Sequence, residues 1–448
     1  MAIPRTIRTK IGSVEERLAR RVGSLEKDGN ESASEGHREC DYLEWIARLT
    51  SHIPERGIKR CRCNVPSWGR NVMRGKGTIC IKGVVILLTA LVLQGTNWAA
   101  AEELTVMTRN LYLGADLTPA ISAQNKEQFL PAMFDIMGTI ESNNFPERAA
   151  ALAAEIVEKK PHLVGLQEVL NFTIDGANPG PPFNDYLQEL LDALEARGAD
   201  YRVVAVVKNL DLVFPFGINL IGALDRDVIL ARGDVVPEVV DLNGLCQVSE
   251  DGCNYQFVAS LPNPLATETE PLPPVIIERG FVAIDAWVDS FPVRFVNTHL
   301  EVREVGPFGL LQAAQAFELT QILAALNSEP LNSLRAPIIV VGDFNSDPRD
   351  PVLAGPIVPP YLQLTAAGFV DAWTQHRPGN PDGYTCCQEE DLVNRKSVLY
   401  ERVDLIFSSA EPEKVKVHLV GDKIPDKKPS GLWPSDHAGV VGRMEFAQ

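Results

Sequence analysis

An α/β fold is what this chain predicts, and three observations carry the expectation. Short apolar runs such as Ile338-Ile339-Val340-Val341 alternate with segments whose apolar residues recur every three or four positions, the marks of buried strands and amphipathic helices. Several of those runs end on a polar residue, as in Val341-Gly342-Asp343, so the strands deliver side chains to a shared edge or mouth. With 448 residues and 45% hydrophobic content, the chain can also bury a substantial core, in one large domain or two ordinary ones.

The elements begin only past Ala101. Residues 1–72 show no steady apolar period and are rich in Arg, Ser and Gly, which reads as a non-structural extension, either disordered or arising from a start codon assigned too far upstream. Met73, directly before Arg74, stands where an initiator would. Arg74, Lys76 and Lys82 then precede an apolar run from Gly83 to Leu93 and the small residues Ala99 to Ala101. That order predicts a secretory signal peptide over 73–101, because the run falls short of the roughly 20 apolar residues a membrane span needs. Retention as a signal anchor is the competing reading. The expectation is a mature domain over 102–448, secreted or periplasmic, without a stable membrane span after cleavage and without an evident obligate protein partner.

In that domain Leu104 to Thr108 reads as a first strand that ends at Arg109-Asn110. Pro146 to Lys160 reads as a helix, with an early Pro and with Ala149, Leu152, Ala153, Ile156 and Val157 at helical spacing. His162 to Val169 is a short apolar strand carrying Glu168 at its end, an acid whose desolvation calls for a partner such as a cation. Asn184 to Arg197 predicts a second amphipathic helix stopped by Gly198, followed by strands at Tyr201 to Val207 and Val228 to Ala231. Between those strands Leu210 to Leu224 is unusually apolar, which suits an internal packing insertion better than a lipid-contacting loop. Pro262 to Pro274 reads as an exposed connection.

Phe281 to Val288 and Val293 to Thr298 predict a hairpin turning over Asp289 to Pro292 and ending in Asn297-Thr298-His299. Leu310 to Leu326 predicts a long helix that returns to the strand ending in Gly342-Asp343-Phe344-Asn345. Period-two alternation would put Asp343 and Asn345 on one side with Phe344 turned away, although an ordinary Asx turn explains the same residues. Finally, Asp404 opens a strand at Arg402 to Phe407, and Asp436-His437 sets an acid beside an imidazole just before the last strand.

The net charge of -17 argues against a protein that holds nucleic acid by a broad basic surface, but not against a nuclease with a local basic patch. Four of the eight cysteines precede Ala101. Cys246 and Cys253 bracket a Ser-Glu-Asp-Gly turn and could close a disulfide in an oxidising compartment. Cys386-Cys387 is open between mutual pairing, pairing elsewhere and free thiols. Neither pair has the spacing, nor a His in ligand register, that a zinc site needs.

Asn110, Glu168, His299, Asp343, Asn345, Asp404, Asp436 and His437 all fall at strand ends, so one mouth could gather them. They offer oxygens for a hard cation, neutral amides and two imidazoles, without a nucleophilic Ser or Cys in a recognisable elbow. That set suits attack of water on a phosphoester.

The ordered motifs QEV, NTHLE, VGDFNSDP, RVDLIF and PSDHAGVV, with an early TRN, resemble the endonuclease/exonuclease/phosphatase superfamily, the deoxyribonuclease I-like group, over about Leu104 to Glu445. The resemblance implies a four-layer α/β sandwich of two mixed β-sheets flanked by helices, with the site at one mouth. It implies Mg2+ as cofactor, with Mn2+ or Ca2+ as substitutes, held mainly by Glu168 with Asn110 and Asp436. By the same resemblance Asp343 orients the attacking water and Asn345 holds it or the phosphate. His437, oriented by Asp404, contacts or protonates the phosphoryl centre, and His299 binds a phosphate oxygen. Arg279 is a weaker candidate for phosphate contact, an ordinary surface arginine being the plain alternative.

The segments Leu210 to Leu224, Leu242 to Pro274 and Gly379 to Lys396 match no particular subgroup and would form the walls that select a substrate. The expectation is a phosphoester substrate, whether nucleic acid, phospholipid head group or sugar phosphate, and most of all a nuclease. A sphingomyelinase-type head-group hydrolase is the alternative enzyme. An inactive binding module on the same fold is the alternative from another class.

Overall fold

The computed structural model describes residues 103–174, 182–216, 219–303, 307–328, 331–353, 357–380 and 382–447. All of them belong to a unit spanning Thr89–Gln448. The expected extension and signal segment, 1–101, lie outside the described residues.

Six strands come first: β1 (Glu103–Asn110), β2 (Leu163–Gln167), β3 (Asn171–Ile174), β4 (Pro182–Asp185), β5 (Tyr201–Phe216) and β6 (Asn219–Arg232). A second group follows with β7 (Val236–Val239), β8 (Gln247–Ser249), β9 (Gly252–Asn254), the small pair β10 (Ala259–Leu261) and β11 (Val275–Ile277), then β12 (Gly280–Val288), β13 (Phe291–His299), β14 (Ile338–Asp343), β15 (Val370–Asp371) and β16 (Asp404–Ser408). The chain closes with β17 (Lys414–Val420) and β18 (Gly439–Glu445). The first sheet runs β17-β18-β1-β2-β6-β3-β4 with β5 also on β6, and the second runs β15-β16-β14-β13-β12-β9-β8 with β7 also on β12. Each is mixed: β1 and β2 pair in parallel, as do β13 and β14, while their other neighbours are antiparallel.

Alternation explains the layering. On β12, Val282, Ile284, Ala286 and Val288 enter the core between the sheets, while Phe281 and Ala283 enter the core behind the second sheet. On β14, Ile339 and Val341 face between the sheets, and Ile338 and Val340 face behind. A strand buried on both faces must be apolar at every position, which is why these runs stand out. Helices α1 (Lys126–Ser142), α2 (Phe145–Lys159) and α3 (Tyr186–Glu195) cover the outer face of the first sheet through Ile136, Ile140, Leu152, Ile156, Leu190 and Leu194. Helices α4 (Pro307–Leu326) and α5 (Pro360–Ala366) cover the second through Leu319, Leu323, Leu326 and Leu364. The result is the expected four-layer α/β sandwich. No helix among the described residues is long and apolar enough to cross a membrane.

One polar tie pins the sheets together beneath the mouth. Asn297 on β13 donates to Leu166 O at 2.9 Å and Val228 O at 3.1 Å, and accepts from Gln167 Nε2 at 2.6 Å. Gly165 makes room for it, since a Cβ there would stand 2.6 Å from the Asn297 carboxamide oxygen.

Three expectations needed correction, and one helix was not expected. The long apolar insertion is not a separate insertion: Leu210 to Leu224 extends β5 and β6 into one antiparallel ribbon. Along it Phe214, Ile221 and Ala223 pack on the helix-side core while Val213 and Leu220 are exposed, so apolar residues on both faces hid the alternation. The hairpin turns on Asp289-Ser290 alone, with Val288 opposite Phe291 and Asp289 at φ 55°. Helix α3 is shorter than Asn184 to Arg197, because Asp185 caps it by accepting from Leu187 N. Helix α1 was missed despite Met133, Ile136, Met137 and Ile140 at helical spacing, because Pro131 interrupts the pattern.

Candidate active site

The parallel strands β1 and β2, β13 and β14, and the neighbouring β16 bring their ends to one mouth. Asn110 ends β1, His299 ends β13 opposite Asp343 at the end of β14, and Asp343 pairs in register with Asp404 at the start of β16. Glu168 lies one residue past β2 at φ 54°, half-buried. Asp436 and His437 sit on the loop that enters β18. Gly342 makes the close approach possible: its φ is 152°, and a Cβ would stand 1.9 Å from Thr298 O.

Asp343 is the hub. Its Oδ2 accepts from Asn110 Nδ2 at 3.1 Å and lies 3.7 Å from His299 Nε2 and 3.8 Å from His437 Nε2. Asn110 also donates to Glu168 Oε1 at 3.0 Å, and Glu168 Oε2 accepts from Leu113 N at 2.6 Å. Asn345 N donates to Asp343 Oδ1 at 2.9 Å, so the Asx turn and the site pair are the same structure. Asn345, at φ 48°, reaches 3.3 Å from His299 Nε2, and Phe344 turns into the core behind the second sheet. All eight expected residues are therefore gathered here. Asp347, further along the same turn, accepts from Arg402 N and pairs with Arg349, which ties this loop to the strand of Asp404.

The two imidazoles carry different partners. His437 Nδ1 donates to Asp404 Oδ2 at 2.8 Å. Burial alone would drive this ring down, but Asp404, Asp436 and Asp343 hold its pKa well above the ordinary histidine range. His299 Nδ1 instead lies 3.1 Å from Arg279 Nη1. A guanidinium only donates, so Nδ1 accepts in this shorter of its two ring contacts, Arg279 Nη1 standing 3.5 Å from Nε2; a neutral ring then carries its proton on Nε2, toward Asp343, while Asn345 Nδ2 donates to Leu300 O at 2.9 Å. Burial, then Arg279 and His437, push His299 well below the ordinary range. Burial and the repulsion of Asp404 push Asp343 up to about 7, against the pull of His437. Burial, with Glu168 adding to it and His437 opposing, takes Asp436 up to about 6.

Arg279, the weaker candidate for phosphate contact, is not an ordinary surface residue; it is 14% exposed, bonded to His299 and paired with Glu301. Several further contributors carried no clear sequence signal. Asp227 lies within 4.0 Å of His299 Nδ1, and its neighbour Asp225 faces the same pocket; an acid just before the apolar run Val228 to Ala231 was the available signal. Arg109, fully buried and paired with Glu155 at 3.0 Å, donates to His437 O. Thr385 Oγ1 accepts from Val403 N and Asp404 N while its carbonyl accepts from Ala438 N. The Gly383 to Cys387 segment thus staples both halves of the Asp404–His437 pair. Its two cysteines are bonded to each other, and Cys246 is bonded to Cys253. Cys386 and Cys387 do lie beside His437 in space, a neighbour that sequence spacing hid.

A divalent cation fits this donor set. Glu168, Asp343 and Asp436 crowd carboxylates beside the Asn110 amide, Asp404 Oδ1 is buried without a hydrogen-bond partner, and donor atoms of Asp343, Asp404 and His437 lie within 4.8 Å of one another. Oxygen-rich, acidic clusters of this kind suit Mg2+-like ions.

A family model described as Endonuclease/Exonuclease/phosphatase family matches residues 137–437, which include every expected site residue except Asn110. Among solved structures, an endonuclease/exonuclease/phosphatase family protein from Leptotrichia buccalis is 18% identical, with 77% of this chain and 100% of that chain covered at a TM-score of 0.45. The mannosyl-6-phosphatase of Bacteroides thetaiotaomicron is 17% identical over 77% of this chain and 100% of its own, at 0.43. Caenorhabditis elegans TDP2 is 16% identical over 77% and 98%, at 0.41. No curated protein matches the chain.

Proposed function

The chain belongs to the endonuclease/exonuclease/phosphatase family, and from that footing we propose a secreted, magnesium-dependent phosphodiesterase, with nucleic acid as the favoured substrate class. Members of the family hydrolyse phosphoester bonds, generally with a divalent metal. The observation that carries the proposal is Asp343, a carboxylate pushed up to about 7 and set between a charged and a neutral imidazole. A base poised near neutrality can take the proton of an attacking water.

Glu168 and Asp436 would hold the ion, which would supply charge stabilisation at the phosphoryl oxygens; Asn110, expected as a third ligand, turns its Nδ2 to Glu168 and Asp343 while its Oδ1 accepts from Tyr112 N, so it would orient those carboxylates. Asp343 aims the water and accepts its proton, and Asn345 holds the water or a phosphate oxygen. His437, kept charged by Asp404, donates to the phosphoryl centre, and His299 offers its Nε2 proton to a phosphate oxygen. The rim favours a substrate with stacking groups: Tyr400 is 58% exposed, and Arg349 lies over the Tyr384 ring at 5.0 Å. Export is supported by the two disulfides, which need an oxidising compartment. Amino-terminal sequencing of the native protein should begin near Glu102; peptides from residues 1–72 would contradict that part.

A second reading has one observation in its favour. The ribbon of β5 and β6 projects past Asp225 with Val213 52% and Leu220 47% exposed, which suits a lipid surface and a phospholipid head-group substrate. One assay separates the readings. The full-length protein is given single-stranded DNA, RNA, bis(p-nitrophenyl) phosphate and sphingomyelin vesicles, with Mg2+ or with chelator. We expect DNA or RNA cleavage that stops on chelation and in Asp343→Ala. Vesicle hydrolysis without nucleic-acid cleavage would select the second reading, and no turnover on any substrate would return the chain to a binding module.

A further inference from the structure

Beside the Glu168–Asp343 centre lies a second group of buried oxygens that the proposed chemistry does not use. Asp225 and Asp227 are two residues apart on β6 and so face the same way. Asn209 is the extra residue of a bulge in β5, between the pairs Lys208–Arg226 and Leu210–Asp225, and its carboxamide faces both carboxylates. Asp227 is fully buried, Asn209 is 1% exposed and Asp225 is 9% exposed. Both Asp227 carboxylate oxygens, Asp225 Oδ1 and both Asn209 carboxamide atoms have no well-formed hydrogen bond. Buried carboxylates are kept only when something compensates them.

Arg279 does not close that account. Its guanidinium is shared with His299 and Glu301, it stands against Glu301, Asp225, Glu168 and Asp227 together, and its own Nε is unpartnered. One positive group faces four carboxyl groups, and burial together with their mutual repulsion pushes Asp225 and Asp227 up, the mark of acids short of a compensating cation.

We propose that Asp225 and Asp227, with the Asn209 carboxamide turned from its N–H contact to present its oxygen, bind a second divalent cation, distinct from the ion expected at Glu168. The donors are all hard oxygens, which select ions of the Mg2+, Mn2+ and Ca2+ kind over thiophilic metals. Strand and bulge present them from one side. Because Asp227 Oδ1 lies 4.0 Å from His299 Nδ1, the ion sits against the Arg279–His299 corner and not the Asp404–His437 corner.

The test is a count. Metal-stripped full-length protein is titrated with Mn2+ at neutral pH, and free Mn2+ is read by electron paramagnetic resonance. We expect two ions per wild-type chain, one in Glu168→Gln, and one in the double variant Asp225→Asn/Asp227→Asn, with circular dichroism confirming the fold. Asn209→Asp adds a carboxylate to the same pocket without emptying it. It should tighten one of the two ions about tenfold and leave the other unchanged, which keeps the test decisive if the double variant fails to fold. A wild-type chain that binds one ion and loses it in Glu168→Gln overturns the proposal. So does a double variant that still binds two, or an Asn209→Asp variant in which neither affinity moves.

Discussion

His437 and His299 are the same side chain at almost the same depth, 6% and 2% exposed, each with Nε2 within 4 Å of one Asp343 oxygen at 3.8 and 3.7 Å. Their charge states nevertheless differ, one ring charged and the other neutral, because the far nitrogen of one donates to Asp404 and that of the other accepts from Arg279. The strand end sets what an imidazole can reach; the residue behind it sets which proton it carries. A phosphoryl group placed at Asp343 therefore meets a charged donor on one side and a neutral donor on the other.

Breaking the comparison at its hub should cost most. Asp343→Ala removes the base that both corners face, and we expect kcat/KM to fall about a thousandfold or more. His437→Ala removes the charged donor and should lower kcat by about a hundredfold to a thousandfold, with KM less affected. Asp404→Asn leaves the ring in place but takes away its charge partner. A loss of about tenfold to a hundredfold at neutral pH is expected, and the ratio to wild type at the same pH should partly recover as pH falls and the ring regains its proton, although both activities decline as Asp343 is protonated. His299→Ala should cost least, about tenfold, and should appear mainly in KM because a neutral donor binds the phosphate without developing charge. Steady-state kinetics of the full-length variants on one phosphodiester would rank all four. A His299→Ala loss as large as that of His437→Ala would contradict the division of labour.

Most of the fold and most of the mouth were legible in the sequence, for a physical reason. A strand buried on both faces is apolar throughout, so the polar residue that ends it is conspicuous, as at Val341-Gly342-Asp343 or Leu166-Gln167-Glu168. What stayed hidden depended on neighbours distant in sequence. Arg279 stayed open between a phosphate contact and a surface arginine because only the register of β12 with β13, Gly280 opposite His299, shows what stands beside it. Asp225 and Asp227 fell in the gap between an apolar segment and an apolar strand, and only the pairing of β5 with β6 shows that they enter the mouth. Cys386 and Cys387 gained His437 as a neighbour through the Thr385–Ala438 hydrogen bond, which no spacing rule reports.

The different charge states of the two imidazoles can be measured directly. Metal-free full-length protein labelled with 15N is followed by two-bond 15N–1H correlation spectra between about pH 6 and 8, where a free histidine would titrate. Of the seven histidines, His437 and His299 are assigned by the signals lost in His437→Asn and His299→Asn. We expect His437 to keep both nitrogens protonated across the range, and His299 to stay neutral with its proton on Nε2. In Asp404→Asn the His437 signals should begin to titrate. Two imidazoles that titrate together near the ordinary value of about 6.5, indifferent to the loss of Asp404, would contradict the account.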